Sequence, residues 1–133
     1  MFVLDASISA AWALPDETSE LAGSLLTKVH EEGAVVPSLW WYEIRNVLLV
    51  AERRKRISAG DADAFIRSLA GLAIRIEALG DGRAIVRLAR VHQLSVYGAT
   101  YLDLAIREGL PLGTFDRKLS QAAACESVSL LGT

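Results

Sequence analysis

The chain has 133 residues, with 14 Lys and Arg against 16 Asp and Glu, a formal net charge of −2. That length predicts a single domain over residues 1–133, and 52% hydrophobic with 23% charged residues excludes a disordered tail. The one cysteine, Cys125, excludes a disulfide scaffold and a multi-cysteine zinc site, and the charge balance means that any nucleic acid must be held by a local basic face.

Phe2-Val3-Leu4 predicts a short strand ending at Asp5, followed by a short helix through Ala10, Ala11, Trp12 and Leu14. From Asp16 to Glu32, Leu21, Leu25, Leu26 and Val29 recur at helical spacing, and Gly33 supplies the stop. Ala34-Val35-Val36 predicts a second strand. Ser38 is placed to cap a helix from Leu39 to about Arg54, on which Glu43 and Asn46 lie three residues apart and so on one side. Gly60-Asp61-Ala62-Asp63 opens a further helix that ends at Gly71, and Ile74, Ile76 and Leu79 alternate as a strand would. Two helices follow, around Ala84 to Ala89 and from Tyr97 to Glu108, the second stopped by Gly109 and Pro111. Leu112 to Phe115 predicts a strand delivering Asp116, and a last helix and a short strand at Val128 to Leu131 complete the chain. Strands separated by helices predict an α/β fold of three layers, a central parallel sheet of about four or five strands flanked by helices. The opening residues lack the features of a signal peptide and no apolar run approaches the ~20 residues of a membrane span, so a soluble cytoplasmic protein without membrane contact is expected.

Ligands of open parallel sheets bind beyond the carboxyl ends of the strands, where Asp5 and Asp116 fall. Either alone suits a helix N-cap. A third acid, Glu43, lies in the early turns of an apolar helix and needs a charged or metal partner. Carboxylates ~4 Å apart repel by about 4 kcal/mol per pair at an effective dielectric of roughly 20, so such a cluster calls for a cation. Mg²⁺, or Mn²⁺, is the hard-oxygen choice, and it could activate water for attack on a phosphodiester.

Four motifs then resemble those of one family. They are Val3-Leu4-Asp5-Ala6-Ser7; Pro37-Ser38 with Glu43 and Asn46; Tyr97-Gly98-Ala99-Thr100-Tyr101-Leu102-Asp103-Leu104-Ala105; and the run from Gly109 to Leu119 through Thr114-Phe115-Asp116-Arg117-Lys118. Together they resemble the PIN domain, and most closely its VapC-type ribonuclease toxins from toxin-antitoxin modules. The resemblance implies a metal-dependent endoribonuclease acting on structured RNA, commonly transfer RNA, and neutralised by a cognate VapB-type antitoxin. It also implies a homodimer, operator DNA bound only through the antitoxin, and a Mg²⁺ site that is also the catalytic set, Asp5, Glu43 and Asp116. Ser7, Asn46 and Thr114 would give polar support. Where the family carries a further acid, between Tyr97 and Ala99, this chain has Gly98. Asp103 lies about 140° around and ~7.5 Å along a helix from that position and is expected to face elsewhere. Gly98 is expected to leave the fold intact, as a glycine at a helix N-cap costs only a few tenths of a kcal/mol against Asp, and to attenuate activity. The rival function is a PIN-like module that binds antitoxin or RNA without cutting it.

Arg53 and Arg54, in the basic run to Arg56, and Arg117 with Lys118 are candidate contacts for RNA phosphates; solvated helix ends explain them equally well. His30 and His92 are assigned to the surface, and Trp12, Trp40 and Trp41 to the core or an interface. A phosphatase with Asp5 as nucleophile would need a second acid where Ser7 stands. Gly80-Asp81-Gly82 lacks the third glycine of a dinucleotide fingerprint.

Overall fold

A computed structural model describes residues 1–14 and 19–132. Four parallel strands form one sheet: β1 (Phe2–Leu4), β2 (Ala34–Pro37), β3 (Ile74–Glu77) and β4 (Leu112–Gly113), in the order β3-β2-β1-β4. Phe2, Val3 and Leu4 and the residues of β2 are buried throughout, the uninterrupted apolar pattern of strands covered on both faces. Val3 of β1 lies opposite Val35 on one side and Leu112 on the other.

Among the described residues α1 (Ala6–Ala13) and α2 (Glu20–Glu32) join β1 to β2, and α3 (Leu39–Arg53) and α4 (Ala59–Leu69) join β2 to β3. The chain then reverses direction across the sheet. α5 (Gly82–His92) and α6 (Val96–Glu108) carry it back to β4, and α7 (Arg117–Cys125) follows. Right-handed crossovers therefore put the two groups of helices on opposite faces. The packing agrees: α1 rests on α2 and α3, whereas α6 covers β1 and β2 between α5 and α7. The reversal leaves β1 and β4 as neighbours whose connections leave in opposite directions, a topological switch point.

The helix stops fall where the sequence puts them. Gly33, at φ +79°, returns its N–H to Val29, and Gly109, at φ +64°, returns its N–H to Ala105 and Ile106. Ser58, which the sequence reading passed over, begins α4 with a reciprocal capping box to Asp61.

Four details correct the sequence reading. Ser38 already has helical dihedrals (φ −56°, ψ −28°), so its hydroxyl caps nothing. Strand β4 stops at Gly113, two residues short of the predicted Phe115, so Asp116 follows a short loop and not the strand itself. The segment Val128 to Leu131 contributes only a bridge from Leu130 to Leu112. Ser95 caps α6, which makes Gly98 the third residue of that helix and not its N-cap. The predicted helix start from Asp16 to Thr18 lies outside the described residues; α2 begins at Glu20 with the Ser19 hydroxyl as its cap. Among the described residues no helix is long and apolar enough to cross a membrane.

Candidate active site

The carboxyl ends of β1 and β4 deliver Asp5 and Thr114 side by side, and two hydroxyls stitch them together. Thr114 Oγ1 donates to Asp5 Oδ2 at 2.6 Å and accepts the Asp116 amide at 2.9 Å. Ser7 Oγ donates to the same Asp5 oxygen at 2.8 Å and accepts the Phe115 amide at 3.1 Å. Asp5 occupies the N-cap position of α1 yet makes no side-chain cap. Its carboxylate is thus buried for a purpose other than helix capping.

Burial pushes the Asp5 carboxyl above the ordinary carboxylate value, against the pull of Thr114, Ser7 and the Ala6 amide, and the Asp116 charge adds to the rise. Glu43 is half-buried on α3, and its carboxyl is also raised, first by burial and then by the charge of Asp5, while the Tyr101 phenol opposes. Tyr101 Oη donates to Glu43 Oε1 at 2.6 Å. Burial and that bond hold the phenol protonated far above its usual range.

Asp116 is exposed and uses Oδ1 to accept the Leu119 amide, so the helix-cap role expected of a lone strand-end acid is realised here. Its charge still reaches Asp5. Asp5 therefore stands in the fields of both other acids. Among the described residues no three His, Cys, Asp or Glu side chains are grouped closely enough to hold a metal ion as they stand. The donor chemistry nevertheless fits a hard divalent cation: every donor is a carboxylate oxygen, and a central acid flanked by two like charges is relieved by positive charge. Each acid also has one oxygen occupied by a named hydrogen bond, Asp5 Oδ2, Glu43 Oε1 and Asp116 Oδ1.

The remaining predicted residues fall around this centre. Asn46 is exposed on α3 and lines a groove with Ser7, Phe115, Arg54 and Arg56, so part of the basic run borders the site. Arg53, Arg117 and Lys118 are exposed. Gly98 leaves room for a side chain, since a Cβ there would meet only ordinary contacts, Ser95 Oγ at 3.6 Å and Leu94 Cβ at 4.0 Å. Asp103 does face elsewhere: it is buried and paired with Arg107 at 2.8 Å. His92 corrects its surface assignment, with a side chain 11% exposed and 2.7 Å from Glu126, because α5 packs its end toward the α7 terminus; His30 is exposed. Trp40 is in the core, bonded to Ser9 at 2.8 Å, and Trp12 bonds the Ala22 carbonyl at 2.8 Å. Trp41 is exposed beneath the Arg45 guanidinium, 3.7 Å from its ring centre. The missed residue is Tyr101, whose signal was a tyrosine in the buried, largely apolar stretch of α6.

A three-layer domain with a parallel sheet and a buried carboxylate held at its switch point is the class of α/β protein that fold and site define. Residues 2–124 match the PIN domain, and the chain is 33% identical over 125 residues to Ribonuclease VapC3 of Pyrobaculum aerophilum, covering 90% of this chain and 92% of that one. The chain belongs to the PIN-domain family, among the VapC-type ribonuclease toxins. Solved structures share the fold. PAE2754 of Pyrobaculum aerophilum superposes with a TM-score of 0.73 at 24% identity, over 91% of this chain and 83% of that one. FitAcB of Neisseria gonorrhoeae gives 0.69 at 16% identity, over 98% and 96%. VapC20 of Mycobacterium tuberculosis, a sarcin-ricin loop cleaving toxin, gives 0.61 at 16% identity, over 92% and 95%.

Proposed function

We propose that residues 1–133 form one domain that hydrolyses structured RNA, transfer RNA foremost, as a Mg²⁺- or Mn²⁺-dependent endoribonuclease. The observation that carries this reading is the buried Asp5 carboxylate, fixed by Thr114 and Ser7 at the switch point and flanked by the charges of Glu43 and Asp116. Asp5, Glu43 and Asp116 would hold the cation through the oxygens that their hydrogen bonds leave over. A bound divalent cation supplies positive charge to the phosphodiester transition state and makes water more acidic. The protein's part is placement. Thr114 and Ser7 orient Asp5 and favour its ionised form against the effect of burial, the helix cap fixes Asp116, and Asn46 offers an amide beside the groove. Arg54, Arg117 and Lys118 would hold RNA phosphates on either side, with Arg53 at the margin.

The family's partners complete the proposal: a homodimer, and a VapB-type antitoxin whose Arg or Lys would pair with the acids and which alone would contact operator DNA, all in the cytoplasm. Exposed Val96 and Tyr97, which precede Gly98 in α6, and exposed Val91 of α5 supply apolar surface for a second chain. Light scattering that finds only monomer, with or without antitoxin, would count against this part.

The test is cleavage of total transfer RNA by antitoxin-free protein titrated with Mg²⁺ and Mn²⁺, with Asp5→Ala and Gly98→Asp alongside. Cleavage requiring both metal and Asp5 supports the reading. Cleavage only in Gly98→Asp would favour the second reading, a chain that binds its partners without cutting, which the empty side-chain position at Gly98 motivates.

A further inference from the structure

The three acids are fixed in different ways. Asp5 has two hydroxyl donors and Asp116 has a helix N-terminus, but Glu43 sits within α3, where its backbone gives its long side chain no guidance. It is half-buried, stands in the field of Asp5, and could relieve that repulsion by swinging toward solvent. The Tyr101 phenol opposes this movement. Tyr101 is 1% exposed, its ring is locked in the core beneath α6, and its hydroxyl meets Glu43 Oε1 at 2.6 Å across 58 residues of sequence. The Ala6 amide, one residue past Asp5, favours the ionised form of both the Asp5 carboxyl and the same phenol. One rigid side chain thereby spans the start of α1, the acid on α3 and the helix that covers the sheet.

We propose that Tyr101 is a positioning residue, which holds Glu43 beside Asp5 against their mutual repulsion so that both carboxylates are spaced for a divalent cation before it arrives. The idea rests on the nuclease reading, and Tyr101 acts through Glu43 without touching cation or RNA. A glutamate already ordered loses less side-chain freedom when it binds. Tyrosine suits the task better than a flexible donor, because its hydroxyl is set by two torsions that packing fixes.

The experiment is Mn²⁺ binding, followed by electron paramagnetic resonance on the full chain, for wild type, Tyr101→Phe, Glu43→Gln and the double variant, with metal-free melting temperatures alongside. Tyr101→Phe is expected to weaken Mn²⁺ binding about tenfold, the effect of one charge-assisted hydrogen bond. In the Glu43→Gln background the same change should alter affinity by less than about twofold. Wild-type affinity in Tyr101→Phe overturns the proposal, as does an equal loss with and without Glu43, which marks a merely structural tyrosine. If Tyr101→Phe melts below the assay temperature, all four proteins are compared below that melting temperature, where the same loss in Tyr101→Phe and its absence in the Glu43→Gln background are expected. Wild type that binds Mn²⁺ yet cleaves no RNA overturns the nuclease reading alone; wild type that binds no Mn²⁺ overturns both.

Discussion

Thr114 and Asp5, 109 residues apart, meet at 2.6 Å across the parallel strands β1 and β4. Because Thr114 also accepts the Asp116 amide, its hydroxyl serves two acids at once. Thr114→Val keeps the shape and removes both bonds, which should cost about 1–3 kcal/mol of stability, the penalty for stranding buried polar partners. Ser7 is more exposed, so Ser7→Ala should cost less. Urea unfolding at pH 7 checks the ranking, and a greater cost for Ser7→Ala would refute it.

The raised carboxyls of Asp5 and Glu43 fix a sign for the pH dependence. Above their ordinary values of 3.8 and 4.5 the unfolded chain sheds these protons while the folded chain keeps them, so the stability they contribute falls as pH rises through the folded values. Metal-free protein should therefore melt at a lower temperature near neutrality than these two groups allow in mild acid. Asp5→Asn should flatten that decline. Scanning calorimetry in chelator, from mildly acidic to neutral pH, would expose an unchanged slope if the assignment is mistaken.

Gly98→Asp places a carboxylate at the third position of α6, where the helix dipole favours it by about 0.3–1 kcal/mol, and no neighbour obstructs it. The variant should fold normally and gain roughly tenfold in Mg²⁺ affinity, as expected from one added charge-assisted contact. Calorimetric titration showing no gain, together with unchanged RNA cleavage, would remove the idea that glycine attenuates this site.

Arg53 and Arg54 separate two roles for the basic run, since Arg54 lines the groove beside Ser7 and Arg53 ends α3. In a cleavage-deficient Asp5→Asn background, Arg54→Ala should reduce the salt slope of RNA binding by ~0.7, one phosphate contact on a single strand. Arg53→Ala should leave the slope unchanged. Equal effects would mean that the groove has no special part in holding RNA.

The sequence announced the fold through particular residues: uninterrupted apolar triplets before Asp5 and Pro37, and glycines where helices must stop. It announced Asp5 because its apolar triplet ends where β1 ends, whereas it carried the strand before Asp116 two residues too far. It could not announce Tyr101, since a phenol in an apolar helix face reads as core until the acid that meets it arrives from another helix. Nor could it show that Thr114 meets Asp5, because strand propensity is local whereas the two lie 109 residues apart. The shift of Gly98 from cap to third position has the same origin, a serine whose capping role depends on where the preceding turn delivers it.

The span between Asp5 and Thr114 also sets an order in time. In a chain made from its N-terminus Asp5 leaves the ribosome first, and strand β4 and the Thr114 hydroxyl that holds Asp5 come more than a hundred residues later. Fragments ending before Thr114 have neither that support nor the acid at position 116. Assembly of the site therefore waits until the segment that carries Thr114 and Asp116 has been made.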